Sequence, residues 1–300
     1  MLTPALTGAP ELVRVNGLAA SEASVLDRGL HYGDGLFETI ACVGGQPRFL
    51  PRHLRRLAAG CQRLGLPFSD AAVLGDEVRE LASGSARAIV KVLVTRGTAL
   101  ARGYALTGKE TPTRITLRYA WPAADAAAGE LGVRVRIATL RLGENPALAG
   151  LKHCNRLEQV LARREWSDPA ISESLMFSSS GALISGTMSN VFLVHDSTLL
   201  TPRVDRCGVA GIMREVVLEA AAAARVPVTE RVLDEGDLAG AEELFLTSAL
   251  IGIRPVRELD GRPLEAGPVT RRLQAQVAPL LGAGAETTRP AAPSSGGSGG

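Results

Sequence analysis

Three lysines occur in the 300 residues, and one of them, Lys152, stands where a lysine can act as a nucleophile. It follows the small-residue run Ala149-Gly150-Leu151 and leads through His153-Cys154-Asn155 into Arg156-Leu157-Glu158-Gln159-Val160-Leu161. Leu157, Val160 and Leu161 recur at helical spacing, with Arg156, Glu158, Arg163 and Arg164 mostly on other faces. Lys152 is therefore expected at the mouth of a helix, where the positive dipole end and a partly dry pocket lower its pKa. A lysine tuned that way can serve as a Schiff-base nucleophile and a proton shuttle. The other two lysines, Lys91 and Lys109, read as a strand-face charge and a loop charge.

Elements that would position Lys152 follow from pattern. Residues 11–17 alternate and end in Asn16-Gly17, a strand running into a turn. Gly29, Gly33 and Gly35 precede a strand at 36–43, which is expected to pair through 44–47 with Arg48-Phe49-Leu50. Pro51 opens a helix whose apolar stripe is Leu54, Leu57, Ala58, Cys61 and Leu64. Arg52, Arg55, Arg56 and Arg63 ride that helix, and for at least three of them a solvated face is the simpler expectation. Ser69 is expected to cap a second helix to about Leu81. Strands at 87–95 and 114–121 enclose a loop bearing Arg96, Gly97, Arg102, Gly103 and Tyr104. The alanine-rich run at 122–132 reads as a linker, dividing a small domain, 1–121, from a larger one, 133–283. The larger one is expected to hold strands at 133–137, 173–178 and 243–248, and a helix opened by Gly211-Ile212-Met213 that runs to about Arg225. A short acidic helix near 234–241, a hairpin at Asp260-Gly261 and a last helix near 267–281 complete it. Residues 284–300, rich in Pro, Ser and Gly, are expected to be disordered.

Composition narrows the classes. Hydrophobic residues make up 46% of the chain, enough for a sizeable core, in an α/β pattern. A net charge of +2 gives no reason to expect nucleic-acid or membrane binding. Cys42, Cys61, Cys154 and Cys207 are far apart and form no CxxC pair, which fits a reduced, cytoplasmic protein and no metal site. No charged n-region with an apolar core opens the chain and no apolar run approaches 18 residues, so neither export nor a membrane span is expected.

Four separated stretches, in this order and spacing, resemble the class IV, or fold-type IV, pyridoxal-phosphate enzymes. They are Tyr32-Gly33-Asp34-Gly35-Leu36-Phe37-Glu38-Thr39, His53-Leu54-Arg55-Arg56-Leu57, the Lys152 segment, and Gly186-Thr187-Met188-Ser189-Asn190-Val191-Phe192 followed by Gly211-Ile212-Met213-Arg214. That group holds branched-chain and D-amino-acid aminotransferases and aminodeoxychorismate lyases. Residues 141–161 and the Arg96-to-Tyr104 loop are most similar to the lyases. The resemblance implies an α/β fold of two domains with the cofactor site between them, in a homodimer. It implies that Lys152 carries pyridoxal 5'-phosphate (PLP), that Arg56 binds its phosphate beside the helix opened by Ile212 and Met213, and that Ser185, Asn190 and Ser248 also border the cofactor. Arg102, with Tyr104 and with Arg96 as runner-up, would meet the carboxylates of the substrate. The implied reaction converts 4-amino-4-deoxychorismate to 4-aminobenzoate and pyruvate, a step of folate synthesis. The alternatives are an aminotransferase of D- or branched-chain amino acids and a PLP-binding protein without turnover.

One position departs from the family. Five residues before Asn190 these enzymes usually carry a glutamate facing the pyridine nitrogen, and here the residue is Ser185. A hydroxyl cannot hold the ring nitrogen protonated as a carboxylate does, so the cofactor becomes a weaker electron sink. That burdens transamination more than an elimination ending in an aromatic product. Glu173 is the other carboxylate in reach of that role by sequence.

Overall fold

The computed structural model describes residues 8–68, 71–98, 102–122 and 126–282. The first half runs β1 (Leu12–Val15), β2 (Leu18–Ala19), α1 (Arg28–Tyr32), β3 (Gly35–Val43), β4 (Gln46–Pro47), α2 (Leu50–Leu64), α3 (Ala71–Ala82), β5 (Arg87–Thr98) and β6 (Thr111–Ala120). Its strands form one antiparallel sheet in the order β2-β1-β6-β5-β3-β4. Alternation sends Leu36, Ile40 and Cys42 of β3, with Val90, Val92 and Val94 of β5, onto one face. There they bury against Leu57 and Cys61 of α2 and Leu74, Val78 and Leu81 of α3. Each such side chain contributes roughly 1.5–3 kcal/mol on leaving water. The partner of β3 is Gln46–Pro47 rather than the expected residues 48–50, because two glycines suffice for the turn and the helix already begins at Leu50. The expected cap Ser69 lies outside the described residues; α3 begins at Ala71.

The second half runs α4 (Ala126–Glu130), β7 (Val133–Leu142), α5 (Leu157–Arg163), β8 (Ile171–Ser178), β9 (Leu183–Gly186), β10 (Asn190–His195), β11 (Thr198–Pro202), α6 (Ile212–Ala223), β12 (Val228–Arg231), α7 (Glu235–Gly240), β13 (Glu243–Ser248), β14 (Gly252–Leu259), β15 (Arg262–Pro263) and α8 (Pro268–Gly282). Among the described residues a nine-stranded mixed sheet takes the order β12-β11-β10-β13-β14-β7-β8-β9, with β15 beside β14. Its central strands are apolar on both faces, which is why they read as near-continuous hydrophobic runs. Phe192 and Phe245 stack 4.9 Å apart and pack on Met213, Val217 and Leu273 of α6 and α8. Val191, Leu193, Leu244 and Leu246 point the other way, onto Leu175, Phe177 and Leu183. The stretch read as a linker contains α4, whose Ala128 is buried in that second cluster. The expected tail, 284–300, lies outside the described residues.

Two features join the halves. Lys152 and its neighbours lie alongside β3: the Phe37 N–H donates to Lys152 O and the Cys154 N–H to Gly35 O, each at 2.9 Å. The arginines of α2 form the second join: Arg55 and Arg63 are exposed as expected, whereas Arg52 and Arg56 are partly buried, so the expected solvated face holds for two of the four rather than three. Arg52 pairs with Glu215 and Glu219 of α6, and Arg55 with Glu215. Arg63 donates to the carbonyls of Pro146, Ala147 and Ala149. In contrast, the apolar stripe of α5 faces outward: Leu157 is 68% and Val160 53% exposed, and Ala162 is the buried residue of that helix. No helix among the described residues is long and apolar enough to cross a membrane.

Gly97 sits at the irregularity of the β5–β6 ladder with φ +83, and a Cβ there would lie 1.7 Å from the carbonyl oxygen of Thr111. That oxygen belongs to the ladder and cannot swing aside as a side chain would. Gly97→Ala is expected to destabilise the chain by more than about 2 kcal/mol, read as a lowered urea midpoint with unchanged slope.

Candidate active site

Lys152 does not sit at a helix mouth. It lies outside any helix beside β3, five residues ahead of α5, beyond the reach of a dipole that fades within one turn. Its Nζ stands 4.4 Å from the centre of the Phe37 ring. Burial pushes the amine down to about 7, and the neighbouring guanidinium of Arg56 adds to the effect, against the opposing pull of Glu38. The expected depression is present, but desolvation and like charge cause it. Near neutral pH a large share of this amine is uncharged, as a nucleophile or base requires.

Arg56 is oriented by a buried carboxylate. Its Nε donates to Glu38 Oε1 at 2.8 Å and its Nη2 to Glu38 Oε2 at 2.5 Å. His53, one helical turn earlier, donates from Nδ1 to Glu38 Oε2 at 2.6 Å. Burial alone would raise the Glu38 pKa, yet Arg56 and His53 outweigh it and hold the group down at about 2. Burial also lowers the His53 pKa, which leaves the ring neutral with Nε2 buried and unpartnered. The Nη1 of Arg56 donates to Ala210 O at 2.8 Å, which places the guanidinium at the start of α6.

The start of α6 is built to leave donors free. Gly211 provides no side-chain cap, so the N–H groups of the first turn, Ile212 and Met213 included, have no acceptor within the helix. Asn190 fixes the approach: its Nδ2 donates to Val209 O at 2.9 Å, and a Cβ on Gly211 would fall 2.0 Å from its Oδ1. Directly across the ladder from Asn190 is Thr247, whose Oγ1 is fully buried without a partner. Ser248 behaves as a turn residue, its hydroxyl accepting from the Ile251 N–H. A guanidinium, uncapped helical N–H groups and an orphaned hydroxyl together suit a phosphate.

Ser185 is buried on β9 opposite Met176. Glu173 is engaged elsewhere: its carboxylate accepts from the N–H groups of Thr187 and Met188 and from the hydroxyls of Thr187 and Ser189. It lies beneath Gly186, where a Cβ would come within 2.9 Å of its Cδ. Glu173 thus shapes the turn between Ser185 and Asn190 rather than taking the place of the family's glutamate.

The expected substrate residues divide. Arg96 is a scaffold residue, with Asp34, Gly65 O and Leu64 O holding its donors. Arg102 and Tyr104 are exposed. Arg28 anchors their loop by donating to Gly103 O and Tyr104 O, and Tyr104 meets the Tyr32 ring at 5.3 Å. Sequence reading gave no role to Glu38, His53, Thr247, Arg28 or Arg156. A carboxylate inside the apolar run of β3, facing a helix with His53 and Arg56 one turn apart, was a signal available for the first two. Nothing in the sequence singled out the others.

Comparisons with known proteins give the family. The amino-transferase class IV family model matches residues 35–259. An aminodeoxychorismate lyase of Vibrio harveyi is 33% identical over 267 residues, 88% of this chain and 98% of that protein. The crystal structure of 4-amino-4-deoxychorismate lyase from Pseudomonas aeruginosa is 46% identical, with a TM-score of 0.87 over 90% of this chain and 100% of that one. The branched-chain amino acid aminotransferase of Escherichia coli, 23% identical with a TM-score of 0.81 over 93% and 97% of the two chains, shares the fold.

Glu38 makes a prediction about acid. A carboxylate whose folded pKa is depressed contributes stability above its unfolded value and loses it as pH falls through the folded one. Between about pH 4.5 and 2, stability should fall by on the order of 3 kcal/mol on account of this group. Calorimetry across that range should show a melting temperature that drops steeply in the wild type and more gently in Glu38→Gln, which starts lower.

Proposed function

The chain belongs to the class IV aminotransferase family, and from that premise we propose that it is a PLP-dependent lyase converting 4-amino-4-deoxychorismate to 4-aminobenzoate and pyruvate. The observation that carries the reading is the partly neutral Lys152 amine next to an Arg56 that Glu38 aims at the uncapped start of α6. The 46% identity across nearly the whole chain to a lyase supports that reaction over transamination, and Ser185 at the family's glutamate position supports it independently.

The residues present fit PLP on the orphaned Thr247 hydroxyl and the uncapped helix start. In this reading Arg56, Ile212 and Met213 hold the phosphate, Asn190 keeps the helix start in place, Ser185 borders the pyridine nitrogen and Ser248 closes the rim. Bound PLP supplies an electron sink conjugated to the substrate's amino nitrogen. Lys152 Nζ takes the proton from ring C4 of the substrate, acting as general base. The bond from ring C3 to the enolpyruvyl oxygen breaks, the ring becomes aromatic, and the departing group gains a proton and leaves as pyruvate. Arg102, with Tyr104 beside it, meets a substrate carboxylate. Burial against Phe37 and the like charge of Arg56 keep much of the amine uncharged. The proposal includes a homodimer in the cytoplasm. The outward apolar face of Leu157, Val160 and Leu161 supports the first part, and the four unpaired thiols support the second.

Two expected outcomes test the reading. Lys152→Ala should abolish release of 4-aminobenzoate together with borohydride-fixable cofactor, and peptide mapping of the reduced wild type should place the pyridoxyl group on Lys152. Label on Lys91 or Lys109, or rapid transamination of simple amino acids without detectable 4-aminobenzoate, would leave the lyase reading without support. Arg56→Ala should weaken PLP binding by roughly 10- to 100-fold, the loss of one charge-assisted contact of about 1.5–3 kcal/mol, measured by cofactor titration.

A further inference from the structure

Arg156 is a guanidinium with no carboxylate hydrogen-bonded to it among the described residues. Its Nε donates to His153 O at 2.9 Å and its Nη2 to Leu151 O at 3.0 Å. These are the carbonyls on either side of Lys152. The carbonyl of Lys152 itself is taken by the Phe37 N–H. Three consecutive carbonyls are therefore held, the middle one by β3 and the outer two by one side chain. Behind this segment lies a cavity of about 300 Å³ bordered by Leu142, Asn145, His153, Arg156, Glu158 and Cys207. On the other side Leu151 packs in the core of the first half and the Cys154 N–H donates to Gly35 O, so on the cavity side the guanidinium is what braces the two outer carbonyls.

We propose that Arg156 is the positioning residue of Lys152, clamping the two peptide carbonyls that flank it and so fixing the backbone from which the amine projects. The inference rests on Lys152 being the residue that captures PLP. The planar fork of arginine reaches both carbonyls at once, and a lysine ammonium, whose donors all radiate from one nitrogen, does not hold that geometry. Arg156 also adds to the cationic surroundings of the amine, which comprise Arg56 of α2 and Lys91 of β5, opposed by Glu38 of β3, while the buried His53 ring of α2 faces it uncharged. Position and charge are separable by substitution: Arg156→Lys keeps the charge and loses the clamp, and Arg156→Met loses both.

The test follows covalent capture of PLP by the cofactor-free full-length chain, in which the Lys152 nitrogen forms a C=N bond with the aldehyde carbon and one water leaves. Pyridoxamine 5'-phosphate, which has no aldehyde, reports the non-covalent site in the same preparations. Capture should slow at least about tenfold in Arg156→Met and nearly as much in Arg156→Lys, since small displacements of a reacting group are costly. Affinity for pyridoxamine 5'-phosphate should stay within about twofold of wild type. The pH midpoint of the capture rate should rise by about 0.5–1 unit in Arg156→Met and hold in Arg156→Lys. Wild-type capture rates in Arg156→Met, full recovery in Arg156→Lys, or a parallel loss of pyridoxamine 5'-phosphate affinity would each overturn the proposal. Failure of the wild type itself to capture PLP at Lys152 would instead overturn the reading on which it rests.

Discussion

A carboxylate buried inside an apolar sheet face must be matched or protonated, and Glu38 is the constraint from which the site is built. Leaving such a charge unpaired would cost about 3–5 kcal/mol, so α2 must present Arg56 and His53 to it. They stand one turn apart on that helix, and Pro51 at its first turn helps to set where it starts. With its Nε and Nη2 held along one edge by Glu38, the guanidinium has little freedom left, and its Nη1 faces the start of α6. A surface arginine would surrender rotamer freedom on meeting an anion, whereas this one is already in place.

The same economy applies to Lys152. Its backbone borrows the edge of β3, its side chain lies on Phe37, and its charge is discouraged by burial among other cations. The sheet of the first half supplies the seat and the loops of the second supply the residue. The ion pairs of Arg52 and Arg55 with α6 act on the same boundary, so the elements that converge on the amine are braced against each other at several points.

Much of this was legible in the sequence. The strands and helices followed from period, Lys152 stood out by its small-residue loop, and Arg56, Asn190 and the Gly211-Ile212-Met213 opening were named through the family resemblance. What pattern could not reveal is direction. The stripe of α5 has helical spacing and yet faces outward, because periodicity defines a face and not what covers it. Arg52 and Arg55 of α2 looked solvated because their partners, Glu219 and Glu215, lie more than 150 residues further along the chain. Arg96 and Glu173 were weighed for the site and are occupied in scaffolding, a distinction that depends on which neighbour reaches them first.

Gly186 and Gly211 bear on how such a sequence can drift. Neither glycine needs a left-handed backbone; each is small because polar side chains, Ser189 with Glu173 in one case and Asn190 in the other, occupy the volume its own would take. Each set therefore behaves as one heritable unit. Replacing a member alone produces a collision or an empty, unbonded gap, and only a concerted change crosses without loss. Descendants of this chain should vary freely along the outer strands while these two sets pass together from one lineage to the next.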